Sequence, residues 1–163
     1  MKYIKTFLWI FFLSVIYASG ILRFGGISAE LLFIFSGAFA FNFKNVKSAV
    51  PVSVVSAAIM SALGGRSFAF CMIFVVCFSL FCIYIKSGRK PILKFGAFSV
   101  LCSCIFEGAF YTLFCMADMS VKDAFLRVII PCGIYTAIAS PVILALIKKS
   151  FAAKERFIFW QRR

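Results

Sequence analysis

Residues 67–85 read SFAFCMIFVVCFSLFCIYI, nineteen consecutive residues without a charged side chain. A helix needs about 20 mostly apolar residues to cross the hydrocarbon core of a bilayer. The stretch follows the turn residues Gly64 and Gly65, and it ends just before the segment SGRKP at 87–91. Glycine and proline both interrupt helices. These residues therefore predict one transmembrane helix with a clear break at each end.

The composition of the whole chain points the same way. Of its 163 residues, 64% are apolar and only 14% are charged, and the mean hydropathy is +1.06. Soluble domains are about half apolar and about a quarter charged. A chain this short has too much surface for its volume to hide so many apolar side chains. We conclude that the outer surface contacts lipid, and no polar stretch is long enough to form a second domain.

Five further apolar segments are separated by charges and turn residues. The predicted spans cover about residues 6–22, 27–43, 46–63, 67–85, 92–116 and 125–147. The third is rich in serine and alanine and contains Pro51. The first also resembles a cleavable signal peptide, with Lys2 and Lys5 before an apolar run and Ala18-Ser19-Gly20 after it. An uncleaved span is the simpler interpretation, and the prediction is an all-α, polytopic membrane bundle of about six transmembrane helices.

The basic residues supply an independent test of this topology. If the N-terminus is cytoplasmic, fourteen lysines and arginines lie inside and four lie outside, namely Arg23, Arg66, Lys122 and Arg127. Cytoplasmic loops carry the excess of basic residues in membrane proteins. The pattern therefore predicts that both termini are cytoplasmic. The net charge of +13 is explained by topology and anionic headgroups, so we predict membrane lipids and no nucleic acid as partners.

The C-terminal tail, residues 148–163, combines basic residues with aromatic ones. Lys148 and Lys149 begin it, and Phe157, Phe159 and Trp160 follow. This mixture beside a span is typical of a segment that lies on the inner membrane surface. Docking of a cytoplasmic partner is the alternative.

The residues available for chemistry are few. The chain has no histidine, no phosphate-binding glycine loop and no C-x-x-C pair, and its seven cysteines fall in or beside apolar runs. Buried cysteines of this kind usually act as small packing residues. We therefore expect no metal site, no cofactor and no enzymatic activity.

One acidic residue lies where a charge is energetically unfavourable. Glu107 falls near the middle of the fifth apolar run, where a charged carboxylate should face the interior of the bundle or be protonated. Ser99, Ser103, Glu107 and Tyr111 repeat every four residues and form one polar stripe on a helix. Three interpretations stay open, which are a hydrogen-bonded anchor between helices, a contact to a membrane partner, and a ligand or proton site.

Small residues recur in the third and sixth spans at a spacing of four. They are Ser53, Ala57 and Ser61, the pair Thr136 and Ser140, and the pair Gly133 and Ala137. Small residues let helix backbones approach closely in lipid. Internal packing is the simpler interpretation, and an interface between copies is the alternative.

The final span carries a resemblance to a known family. It contains Pro131, then Tyr135-Thr136, then Pro141, and ends at Lys148-Lys149. This order resembles the C-terminal helix of MreD, the rod shape-determining membrane protein of bacteria, which often has asparagine where this chain has Thr136. We expect Pro131 near the helix start, where its missing N–H costs least, and Pro141 at a kink.

The resemblance implies a non-enzymatic scaffold of the cell-elongation machinery in the bacterial cytoplasmic membrane. Its expected partners are an MreC-like bitopic protein and, indirectly, MreB-like filaments and the polymerase and transpeptidase of wall elongation. Pro131, Tyr135, Thr136 and Pro141 would then be interaction or shaping residues. The alternative is the substrate-binding component of an energy-coupling-factor transporter, which would bind a vitamin near the outer face with Glu107 involved.

Overall fold

The computed structural model of the chain describes residues 2–19, 23–24, 27–28, 30–43, 45–85, 91–115 and 120–160. The described chain is almost entirely helical, which confirms the all-α class. Its helices are α1 (Lys2–Ser19), α2 (Leu31–Phe43), α3 (Val46–Gly64), α4 (Phe68–Ile85), α5 (Pro91–Phe110), α6 (Val121–Ala124) and α7 (Ile130–Trp160). A π-helical turn, Tyr111–Cys115, extends α5, and another, Phe125–Ile129, joins α6 to α7.

Four helices are long and apolar enough to cross a membrane. They cover Val46–Gly64, Phe68–Ile85, Ile92–Phe114 and Lys122–Phe151. The chain is therefore a multi-pass membrane protein. Two further apolar helices, Ile4–Ser19 and Leu31–Phe43, are shorter. The count of six spans and the cytoplasmic termini stay predictions. The break predicted at 87–91 lies, except for Pro91, outside the described residues, as do residues 20–22 of the first predicted span and residue 116 of the fifth.

The second predicted span differs from the helix observed there. Two short strands, β1 (Arg23–Phe24) and β2 (Ile27–Ser28), pair in an antiparallel hairpin, and α2 begins only at Leu31. Its 13 residues extend about 20 Å, less than the hydrocarbon core of about 30 Å. Every residue from Leu31 to Phe41 is buried. A helix that is apolar on all sides is either a span or a core helix, and α2 has the burial of a core helix.

The other helices surround α2, which contacts α1, α3, α4, α5 and α7. The centre is aromatic. The rings of Phe33 and Phe78 are stacked with their centroids 4.2 Å apart, and the centroid of Phe106 lies 5.7 Å from that of Phe33. Phe78 also presses directly against Gly37, where a Cβ would overlap its ring. The absence of a side chain at Gly37 therefore lets α2 and α4 approach closely.

The last span begins earlier than predicted. The Ser120 hydroxyl accepts a hydrogen bond from the backbone N–H of Asp123, as an N-cap residue does, and it donates to the Asp123 carboxylate. The helix then runs through the π-helical turn, in which the N–H of Ile130 donates to the carbonyl of Phe125. Pro131 is the second residue of α7, as expected near a helix start, and it stands ten residues after Val121 because α6 and the π-helical turn precede α7. Proline clashes with the carbonyl four residues before it in a regular α-helix, and the π-helical turn changes the spacing just there.

The two ends of the bundle are distinguished by their contacts. At one end the Lys5 ammonium donates to the Ser150 carbonyl over 3.1 Å, and the centroids of Phe43 and Phe151 are 4.9 Å apart. The start of α1 therefore lies beside the end of α2 and the later part of α7. Helix α7 itself continues past Lys148 to Trp160, so the predicted tail begins as helix. The turn between α3 and α4 lies at the opposite end.

Candidate functional site

A turn at the end of α3 brings a cation back into the bundle. Gly65 has a φ of 63°, in the left-handed region that glycine adopts without strain, and its N–H donates to the Ser61 carbonyl. The Ser61 hydroxyl donates to the carbonyl of Arg66 over 2.6 Å. These bonds fix the backbone of Arg66 one residue after the turn. The side chain of Arg66 is consequently directed inward, and it is only 15% exposed.

Arg66 forms the centre of a buried ion cluster with two glutamates from different parts of the chain. Its Nη1 lies 3.0 Å from Oε1 of Glu30, and its Nη2 donates to Oε1 of Glu107 over 2.8 Å. The Arg66 Cζ is 5.0 Å from the ring centroid of Phe106 and 4.8 Å from that of Phe110. Both distances suit cation–π attraction. One guanidinium thus joins the start of α2 to α5.

The charges in this cluster do not cancel if both carboxylates are ionised. Glu30 stands in the loop before α2, outside the four long apolar helices, and its side chain is 1% exposed. Burial raises its pKa, and the nearby charge of Glu107 raises it further against the opposing effect of Arg66, to about 8. Burial lowers the pKa of Arg66, but the two carboxylates outweigh this and hold it above its usual value. Arg66 therefore stays charged, and Glu30 keeps its proton to a higher pH than an exposed glutamate does.

The polar stripe predicted on α5 faces the interior. Ser99, Ser103, Glu107 and Tyr111 are all buried, the last of them in the π-helical turn. The Ser103 hydroxyl accepts a hydrogen bond from Thr136 over 3.1 Å and lies 3.3 Å from the Cys132 sulfur. The stripe therefore has two parts. Glu107 belongs to the ion cluster, and Ser103 joins α5 to α7.

The four residues taken from the family resemblance do not meet at one point. Thr136 is buried against Ser103, whereas Pro131 and Tyr135 are half-buried. Pro141 is exposed. It lies in the interior of α7, on the outer surface of the bundle. The structure thus assigns Thr136 to internal packing and leaves Pro141 accessible from the membrane.

Pro141 lines a groove between α5 and α7. The groove has a volume of about 680 Å³, and its walls are apolar, comprising Ile92, Leu93, Gly96, Ala97, Val100, Ala137 and Pro141. Beside the groove the two helices pack closely, because a Cβ on Gly133 would lie 3.0 Å from the Cys104 sulfur and 3.7 Å from a Val100 methyl. Ala97 and Ala137 are exposed in the groove. Of the small residues noted in the sequence, Gly133 thus serves internal packing and Ala137 does not.

The small residues of α3 also face inward. Ser53 and Ala57 are buried, and the Ser53 hydroxyl lies 2.7 Å from that of Ser79 on α4. Ser61 instead holds the turn that carries Arg66. This arrangement fits internal packing of one chain.

Sequence reasoning missed the partner of Glu107. On the predicted topology Arg66 is one of four basic residues in the outer loops, and Glu30 falls within the second predicted span, residues 27–43. Arg66 and Glu107 are 41 positions apart in the sequence, and helical periodicity does not predict a contact over that separation. The available signal was an arginine directly after two glycines in a chain with only five acidic residues.

The comparisons with known proteins add no relative. The chain matches no protein-family model, and it has no significant match among curated proteins or among solved structures.

Proposed function

We propose that this protein is a non-enzymatic scaffold in the bacterial cytoplasmic membrane that helps determine rod shape. In this role it couples an MreC-like bitopic partner and MreB-like filaments to the enzymes of peptidoglycan synthesis. The proposal starts from the resemblance of the last helix to that of MreD, in the order Pro131, Tyr135-Thr136, Pro141. The multi-pass helical fold is compatible with it.

The observation that carries the proposal is the position of Pro141 in the groove between α5 and α7. The groove is apolar, and two of its wall residues, Ala97 and Ala137, have only a methyl side chain. Transmembrane helices associate through close van der Waals packing, because lipid supplies no hydrophobic drive between them. A groove with small residues on its walls therefore suits the single membrane helix of a bitopic partner.

The ion cluster is the reason for preferring a scaffold to a transporter. In the transport alternative Glu107 would contribute to a ligand site, but here its carboxylate is engaged by Arg66 at 2.8 Å. Arg66 is in turn held against the rings of Phe106 and Phe110. A carboxylate that is ion-paired in this way supports a structural anchor between helices better than a binding site for a vitamin.

The test is capture of the MreC-like protein encoded by the same bacterium, using the full chain in detergent. Ala97→Phe or Ala137→Phe places a ring in the groove, and we expect either change to reduce capture at least tenfold. Ala58→Phe is the matched control, because Ala58 is exposed on α3 away from the groove. Capture should be unchanged in that variant.

Cell shape provides the second measurement. Depletion of the protein in a rod-shaped host should produce rounded cells, and the Ala137→Phe variant should fail to restore rods while Ala58→Phe restores them. Normal rods after depletion would contradict the shape role. A vitamin-sized molecule that co-purifies with the chain, without an MreC-like protein, would instead support transport.

A further inference from the structure

A second cleft lies between α1 and the later part of α7. Its walls are Lys5, Leu8, Trp9 and Phe12 from α1 and Ser150 from α7, and its volume is about 250 Å³. The four α1 residues follow the spacing i, i+3, i+4, i+7, so they form one face of the helix. Two hydrogen bonds hold α7 against this face. Lys5 donates to the Ser150 carbonyl and Trp9 donates from its indole nitrogen to the Ser150 hydroxyl, each over 3.1 Å.

The cleft changes from cationic to apolar along its length. Lys5 stands at the end of the bundle, and Phe12 lies seven residues further along the helix, which is about 10 Å. Leu8 and Phe12 are 57% and 55% exposed, so a bound molecule can reach them from the membrane. Lys148 and Lys149, immediately before Ser150, add positive charge at the same end. The cleft thus has the polarity of a phospholipid, a charged group at one end and hydrocarbon beyond it.

We propose that this cleft binds an anionic phospholipid. The phosphate lies at Lys5, and an acyl chain runs along Leu8 and Phe12. The ammonium of Lys5 has three N–H donors, of which the Ser150 carbonyl takes one, so two remain for phosphate oxygens. The indole N–H of Trp9 is used by Ser150, and Trp9 therefore contributes its ring as a surface for the chain.

Charge complementarity decides between a lipid and a protein helix as the occupant. The wall of this cleft carries a lysine and two large aromatic rings, whereas the apolar wall of the α5–α7 groove includes Gly96, Ala97 and Ala137. Interfaces between transmembrane helices are enriched in small side chains, which let the backbones approach closely. Basic sites between helices at the membrane surface bind anionic headgroups. The two surfaces are therefore suited to different occupants.

The experiment uses Trp9 as its own reporter. The sequence has two tryptophans, Trp9 and Trp160, so Trp160→Phe in the full chain leaves Trp9 as its single tryptophan. The protein is placed in phosphatidylcholine vesicles containing a minor fraction of brominated phosphatidylglycerol or, separately, brominated phosphatidylcholine. Bromine on the acyl chain quenches a tryptophan that it contacts. We expect the anionic lipid to occupy the cleft with about fivefold preference over the zwitterionic one.

Two lysine variants, each made in the Trp160→Phe chain, distinguish a specific lipid site from the general attraction of anionic lipid to a basic protein. Lys5→Gln should abolish the preference. Lys47→Gln removes a charge at the same end of the bundle but outside the cleft, and it should retain the preference. Equal quenching by both lipids would overturn the proposal, as would a preference that survives Lys5→Gln. Absence of quenching by either lipid would also overturn it, since the cleft would then be covered by protein.

Discussion

Replacing Arg66 by methionine tests whether the ion cluster holds the bundle together. Methionine is long and flexible enough to fill the space beside Phe106 and Phe110. The variant keeps the packing near these rings and removes the charge. Glu30 and Glu107 then remain buried without the cation that lies 3.0 Å and 2.8 Å from them.

The magnitude follows from the burial of the partners. Removing one member of a buried ion pair costs about 3 to 5 kcal/mol, because the remaining charge is left uncompensated. Both glutamates are at least nine-tenths buried, so solvent does not screen them. The free energy of unfolding of a native protein is about 5 to 15 kcal/mol. We therefore expect Arg66→Met to remove a large share of the stability, while the fold still forms.

The assay is reversible unfolding of the purified chain in mixed micelles, followed by tryptophan fluorescence. Arg127→Met is the matched control, because Arg127 pairs with Asp123 at 3.9 Å with both side chains largely exposed. Exposed pairs contribute about 0 to 1 kcal/mol. The triple variant Glu30→Gln, Arg66→Met, Glu107→Gln removes every charge from the cluster and should recover most of the loss. If Arg66→Met costs no more than Arg127→Met, or if the triple variant is no more stable than the single one, the electrostatic argument is wrong.

Two further predictions concern the core and the titration of the cluster. Gly37→Ala should lower the free energy of unfolding by about 1 to 3 kcal/mol, because the added methyl overlaps the Phe78 ring. Gly96→Ala is its control, since its Cβ would lie at an ordinary 3.6 Å from the Ser140 oxygen, and an equal loss in both variants would refute the steric explanation. The pKa of Glu30 rises from 4.5 to about 8 on folding, so its contribution to stability is greatest below pH 4.5 and is lost as the pH rises to about 8. Unfolding measured from pH 5 to 8 should show this decline, and Glu30→Gln should reduce it; an identical decline in that variant would contradict the assignment.

The ion cluster shows that local sequence patterns predict which residue is buried but do not predict its partner. The cost of a charge in the membrane is enough to predict that Glu107 faces inward. Its partner is a matter of tertiary structure, because Arg66 and Glu30 reach the cluster from two separate loops. A basic residue in a short loop is normally a topology marker. Only the turn at Gly65, with its left-handed backbone, sends Arg66 inward instead.

Helix α2 illustrates a second limit. Its apolar residues lie on all sides, and this pattern is the same for a membrane span and for a helix enclosed by other helices. The length of the helix distinguishes a membrane span from an enclosed helix. That length depends on the residue at which the helix begins. The hairpin of Arg23–Phe24 with Ile27–Ser28 shortens the segment at its start, and the sequence marks that boundary with Gly25-Gly26, a pair typical of two-residue hairpin turns that apolar length alone does not weigh. The aromatic content of α2 instead reflects its position, with Phe33 stacked on Phe78 in the centre of the bundle.

The cluster also involves one of the outer basic residues of the predicted topology. Of the four outer cations on that topology, Arg66 is enclosed by Glu30 and Glu107, and Arg127 is paired with Asp123. The positive-inside rule concerns lysines and arginines that resist crossing the membrane. Arg66 thus links helices as well as marking a loop, but the rule counts lysines and arginines and gives little weight to their acidic partners, so the count of fourteen inside to four outside is unchanged. The cytoplasmic placement of both termini therefore stays a prediction from that count, and on this topology the basic end of the bundle, where Lys5 meets Ser150, faces the anionic inner leaflet.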